Sequence, residues 1–164
     1  MHHRATQAQL LGQELWIDGF NVLTAVETAL GGGVILIGRD QCCRDVAGVY
    51  SHYHKVAETI PALRAVGDFA AKSGVQRCCW WLDSPVDNSI RLKAIILQIA
   101  AEARWDWRVE LVTNPDHVLS ETDQVVCSSD HVILDRCQRW FNLSREVIDA
   151  HVQQARLVKL WANP

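Results

Sequence analysis

Several scarcities narrow the possibilities at once. Basic residues are not in excess. There are 16 Lys and Arg against 19 Asp and Glu, a net charge of −3, which excludes a binder driven by a broad basic surface. A nucleic-acid substrate survives that exclusion, because acids that hold a metal ion also count as negative charge. Proline and glycine are sparse, 4 and 9 of 164 residues. No linker, repeat or low-complexity segment interrupts the chain, so one domain with a short lead-in is expected, over residues 14–164 and 1–13. No apolar run reaches the roughly 20 residues that span a bilayer, and no secretory core opens the chain. A cytoplasmic location and no membrane partner are the expectations.

Missing motifs exclude more. The six cysteines include two adjacent pairs and no C-x-x-C, poor spacing for a zinc site or a disulfide. Cys78, Cys79 and Cys127 lie in apolar runs and read as reduced, buried thiols. Gly31-Gly32-Gly33 lacks a following G-K-[ST], so it is no P-loop. No G-x-S-x-G elbow occurs. Asp18 has no second aspartate two residues on, which aspartyl-phosphate phosphatases use. His52 and His54 read as a surface pair. The tryptophans could stack bases, but Trp16, Trp80, Trp81, Trp105 and Trp107 lie in or beside strands and read as core.

What is present alternates strand and helix. Leu15 to Asp18 is strand one, and Val22 to Leu30 a helix stopped by the glycines. Val34 to Ile37 is a short extra strand, and Gly38 to His52 a charged, ordered loop. Thr59 to Lys72 is a helix capped by Thr59. Arg77 to Leu82 is apolar throughout, as a strand buried on both faces should be, and ends on Asp83. An amphipathic helix follows over Ser89 to Arg104. Arg108 to Val112 is strand three, Pro115 to Thr122 a polar connection, and Val125 to Cys127 strand four. Asp130 to Arg136 begins a helix, Trp140 to Leu143 is a fifth short strand, and Ser144 caps a helix to Gln153. Leu157 to Trp161 is a last strand or tail. The expected fold is α/β: a three-layer, Rossmann-like arrangement with a mostly parallel central sheet of about five strands. Right-handed crossovers then put all strand C-termini on one edge.

Three strands end there on a carboxylate: Asp18, Asp83 and Asp130. Crowded carboxylates repel, and hard cations such as Mg²⁺ or Mn²⁺ take oxygen ligands, so the edge is a candidate metal site. The competing explanation is that these aspartates cap turns and helices. Asp45 and Glu27 are further candidate ligands. Arg39 and Arg44 could hold phosphate, against the plainer reading of surface ion pairs with Asp40 and Asp45. Asn21, Asn88, Ser128 and Ser129 could orient water or substrate, or cap helices.

The ordered set I-D-G-F-N-V-L (Ile17 to Leu23), V-E-T-A-L, R-D-V-A-G, W-L-D-S-P-V-D-N-S and S-S-D-H-V-I-L-D resembles the PIN-like nuclease superfamily, including its NYN branch. It most resembles an uncharacterised PIN-like family carrying a domain-of-unknown-function label. The likeness covers Leu15 to Leu143. It implies a Rossmann-like sheet, a divalent-metal acidic site and ribonuclease chemistry, with Asp18, Asp83 and Asp130 as first-, second- and fourth-strand acids, and Glu27 and Asp45 beside them. The turn at Asp87-Asn88-Ser89-Ile90 and the stretch Arg39-Asp40-Gln41 depart from that family's S-N-S-G and D-D-G patterns.

The expected function is a Mg²⁺- or Mn²⁺-dependent nuclease acting on RNA, with a homo-oligomer allowed. The alternatives are a non-catalytic nucleic-acid-binding or scaffold module and a metal-dependent phosphatase.

Overall fold

The computed structural model describes residues 3–46, 56–84 and 88–161, with the side chain of residue 56 left aside. His52, His54, the far end of the charged loop and Asp87 lie outside them. In chain order the elements are β1 (His3–Arg4), β2 (Glu14–Asp18), α1 (Gly19–Leu30), β3 (Val34–Ile37), β4 (Cys43–Asp45), α2 (Val56–Lys72), β5 (Arg77–Asp83) and α3 (Ser89–Ala103). After them come β6 (Trp107–Val112), α4 (Pro115–Glu121), β7 (Val125–Cys127), α5 (His131–Leu134), β8 (Arg139–Trp140), α6 (Leu143–His151) and β9 (Arg156–Lys159).

Six strands form one parallel sheet in the order β1-β8-β7-β2-β5-β6. From β2 the chain steps outward to β5 and β6, then crosses back to β7 and β8. The strand order therefore reverses between β2 and β7, the place where open α/β sheets bind ligands. A second sheet, β4-β3-β9, stands beside it.

The two faces of the main sheet are unequally covered. Leu15, Ile17, Cys78, Trp80, Leu82, Val125 and Cys127 join residues of α1, α2, α3 and α6 in the main core. Each fully buried Leu, Ile or Val there contributes roughly 1.5–3 kcal/mol. On the other face a smaller cluster holds Leu119 of α4, Ile133 and Leu134 of α5, Val126, Trp140, Cys137 and Cys42, with Trp16 and Trp81 packed against it. All six cysteines are free and buried.

The α/β architecture with a mostly parallel, helix-flanked sheet is as the alternation of elements indicated. Details differ. Residues 115–121 form a helix, because Asn114 Oδ1 accepts the His117 backbone N–H and Pro115 suits the first turn. The charged loop contains β4, paired antiparallel to β3. Helix α2 starts before Thr59, and the Thr59 hydroxyl donates to Glu27 at 3.2 Å instead of capping. The fifth strand shrinks to Arg139–Trp140, and α6 begins at Leu143. The lead-in supplies β1 as an edge strand.

Candidate acidic site at the strand ends

Asp18 closes β2 and stands at the N-cap position of α1, yet its side chain makes no capping hydrogen bond among the described residues. Gly19 explains how the chain turns so abruptly there. A Cβ at this position would run into Leu82 Cδ2 and come within 3.0 Å of the Trp81 carbonyl, so the helix start can lie against β5 only without a side chain. The Asp18 carboxylate is left for other work. Ser128 Oγ donates to Asp18 Oδ2 at 2.7 Å, and the same hydroxyl accepts the Asp130 backbone N–H at 3.0 Å. The reversal between β2 and β7 is thus stitched together at its mouth.

Burial pushes the Asp18 carboxyl up to about 7; the Ser128 bond pulls against that, and the charges of Asp116 and Asp130 add to it. Asp116 is also raised, by desolvation first and then by Asp130 and Asp83. Asp116 therefore links the edge: it lies within electrostatic reach of Asp18, Asp83 and Asp130. Asp116 went unnoticed in the sequence because residues 115–122 read as a connection. Its signal was Asn114-Pro115-Asp116, a helix start placed directly after a strand.

The remaining acids separate clearly. Asp130 Oδ1 accepts the Val132 backbone N–H at 2.8 Å and so caps α5. Asp83 ends β5 with Oδ1 buried and without a hydrogen bond among the described residues. An orphaned carboxylate oxygen beside like charges is costly unless a cation or a proton arrives, so this donor set suits a hard divalent ion. Nonetheless no three His, Cys, Asp or Glu side chains among the described residues are grouped as an ion site.

Glu27 and Asp45, the further expected ligands, sit on α1 and β4. Glu27 is nine residues into α1, which at ~1.5 Å per residue is about 13 Å along the axis from the strand ends; it is buried and accepts from Thr59. Asp45 sits on β4 opposite Ile35 in the second sheet, with Oδ2 buried and unbonded among the described residues.

Arg44 is not a free phosphate contact either. Its Nη1 and Nη2 bond Asp40 at 3.1 and 2.7 Å, and its Nε and Nη2 bond the Ser129 carbonyl at 3.1 and 2.6 Å. This clamp ties the β3–β4 turn to the segment bearing Ser128 and Asp130. Asn21 Oδ1 braces the same segment, accepting from Ser129 N at 2.9 Å and Ser129 Oγ at 3.1 Å. Asn21, Ser128, Ser129 and Arg44 thus shape the site. Arg39 is exposed in the turn. Asn88 is exposed at the start of α3 with φ 68°, and it makes no side-chain cap bond among the described residues.

Among the described residues no helix is long and apolar enough to cross a membrane. The chain is similar to an uncharacterized protein of Methanocaldococcus jannaschii, MJ0935, with 28% identity over 123 residues. That match covers 75% of this chain and 58% of the relative, so the chain spans little more than half of that protein's length. Residues 7–146, which include every strand-end acid, match the family described as Domain of unknown function (DUF5616), and the chain belongs to that family.

Proposed function

We propose that this protein is a divalent-metal-dependent nuclease of the PIN-like kind, acting on RNA. The observation that carries the reading is the half-buried Asp18 carboxylate, left uncapped at the sheet's switch point with the carboxylates of Asp116 and Asp130 near it. Asp18, Asp83 and Asp116 are the residues that would hold Mg²⁺ or Mn²⁺, with Asp130 at the rim. A cation held there would supply Lewis acidity for the hydrolysis of a phosphodiester by water. Ser128 holds Asp18 in one rotamer. Asn21 and the Arg44 clamp hold the Ser128–Asp130 segment at a fixed distance from β2. Arg39 is the cation of the β3–β4 turn left to meet a phosphate. The free, buried thiols are in keeping with a reducing, cytoplasmic setting.

The test is cleavage of single-stranded and structured RNA with Mn²⁺ added. Activity is expected in the wild type and is lost in Asp18→Asn and Asp116→Asn. Cleavage that persists in Asp18→Asn rejects the assignment. The net charge of −3 and the turn at Asp87-Asn88-Ser89-Ile90, which departs from the resembled family's pattern, favour a second reading, a nucleic-acid-binding module without catalysis, which the same assay distinguishes by binding without cleavage.

A further inference from the structure

Trp16 and Trp81 pack at the margin of the smaller cluster and are less buried than the other strand tryptophans. Trp80 and Trp107 pair on the thickly covered face at 5.2 Å between ring centroids and are 0% and 8% exposed. Trp16 and Trp81 pair on the opposite face at 4.7 Å with a 41° tilt, and both are only half-buried. In the β2–β5 register Asp18 lies opposite Trp81 and Trp16 opposite Cys79. Paired and alternate residues of a sheet share a face. Trp16, Asp18, Trp81 and Asp83 therefore line one surface, the rings one pleat repeat, about 6.6 Å, behind the carboxylates.

Two further observations bear on this pair. Trp16 Nε1 donates to Glu14 Oε1 at 3.0 Å. Trp81 Nε1 is buried and has no acceptor among the described residues, as is also true of Trp80 Nε1 in the main core. Next to the rings, at the β6 edge of the described sheet, Arg108 opposite Cys79 and Glu110 opposite Trp81 are both exposed on this face.

We propose that Trp81, backed by Trp16 and flanked by Arg108, is a subsite for one unpaired nucleobase of a nucleic-acid strand whose phosphodiester lies at Asp18 and Asp83. The proposal rests on the nuclease reading of those acids and names the substrate as single-stranded. An aromatic face accepts any base by stacking, but only a base splayed out of a helix can reach it. Arg108 meets a neighbouring phosphate. Glu110 keeps the surface from being broadly cationic, so recognition comes from the ring more than from charge, in a protein of net charge −3.

The experiment is fluorescence anisotropy with a labelled ten-nucleotide RNA, its DNA counterpart and a duplex. It uses the full chain carrying Asp18→Asn, so that binding is read apart from cleavage. Both single strands are expected to bind and the duplex much more weakly; the ratio of RNA to DNA affinity tells which sugar is preferred. Trp81→Leu weakens binding roughly tenfold, the scale of one stacked base. Trp81→Phe, which keeps a ring and fills most of the space, retains most of the affinity and covers the case in which the leucine variant fails to fold. Arg108→Gln, at an exposed position, lowers the salt dependence by about one phosphate contact. Equal binding by Trp81→Leu and the parent, or no binding of either single strand, overturns the subsite. Trp81-dependent binding with no cleavage by the wild type leaves the subsite standing and sinks the nuclease reading. Cleavage that is indifferent to Trp81 does the reverse.

Discussion

Ser128 Oγ lies 2.7 Å from Asp18 Oδ2, joining the ends of β7 and β2 across the reversal in strand order. The bond opposes the burial that pushes the Asp18 carboxyl up to about 7 from an ordinary 3.8. Between those two values the unfolded chain has released this proton while the native protein still holds it. Stability therefore falls as pH rises from about 4 to 7, by an amount on the order of a few kcal/mol, and the loss persists above 7. Asp18→Asn removes the titration. Urea unfolding at pH 4, 5.5 and 8.5 should show variant and wild type close together at the lowest pH, with the variant increasingly the more stable above it. Parallel profiles would refute the buried, poorly neutralised carboxylate.

Removing the hydroxyl should move that window. In Ser128→Ala the carboxyl loses the contribution that lowers its pKa, so the fall in stability continues to higher pH than in the wild type. The Asp130 N–H loses its acceptor as well, a cost of about 1–3 kcal/mol at every pH. The two effects separate because only the first depends on pH.

A divalent ion should reverse the penalty. If Asp18, Asp83 and Asp116 hold Mn²⁺, the ion binds the native state alone and stabilises it by about 2.7 kcal/mol at a concentration 100 times its dissociation constant. At roughly 2–4 °C per kcal/mol for a chain of this size, melting temperature rises measurably. Asp83→Asn should remove most of the rise. No shift for the wild type at 10 mM Mn²⁺ would reject the cation site.

The Arg44 clamp should matter more through its backbone bond than through its ion pair. The Arg44–Asp40 pair is about one-third exposed on both sides, and such pairs contribute about 0–1 kcal/mol. The Ser129 carbonyl accepts both Nε and Nη2 and is left unsatisfied in Arg44→Met, at about 1–3 kcal/mol. Asp40→Asn should therefore lower the melting temperature less than Arg44→Met. The reverse order would mean that the ion pair, not the tether to Ser129, fixes the β3–β4 turn.

Helix packing offers a check on the fold itself. A Cβ on Gly67 of α2 would enter the Trp105 ring, which stacks on Trp107 at 5.0 Å between centroids. Gly67→Ala should cost about 1–3 kcal/mol, the usual scale of overpacking, with a drop in near-ultraviolet circular dichroism from the displaced indole.

Much of the architecture was legible because the long elements carry strong periodicity. The apolar run Arg77–Leu82 and the stripe Leu92, Ile95, Ile96 and Ile99 belong to β5 and α3 almost as drawn. Short elements were not legible. β4 has three residues, and its charged pattern belongs to Arg44, which reaches Ser129, and Asp45, which pairs with Ile35 of β3, pairings that no local rule reveals. At the candidate site, Asp18, Asp83 and Asp130 stand out in the sequence because each follows an apolar strand. Asp116 does not stand out because it enters from a helix start after a polar turn, and Glu27, close to Asp18 in sequence, is carried along the α1 axis to Thr59. Of the aspartates suspected of merely capping, Asp130 does cap, whereas Asp18 does not.

The four carboxylates enter from positions 18, 83, 116 and 130, on segments that meet only when β2, β5 and β7 are all in register. No hairpin or helix–strand fragment contains the arrangement, so it is absent from any early folding species built on local contacts. A cation that recognises it has nothing to grip until the parallel pairings, the slow part of such topologies, are complete. Manganese should accordingly leave the refolding rate nearly untouched and slow unfolding, the kinetic mark of contacts made after the transition state.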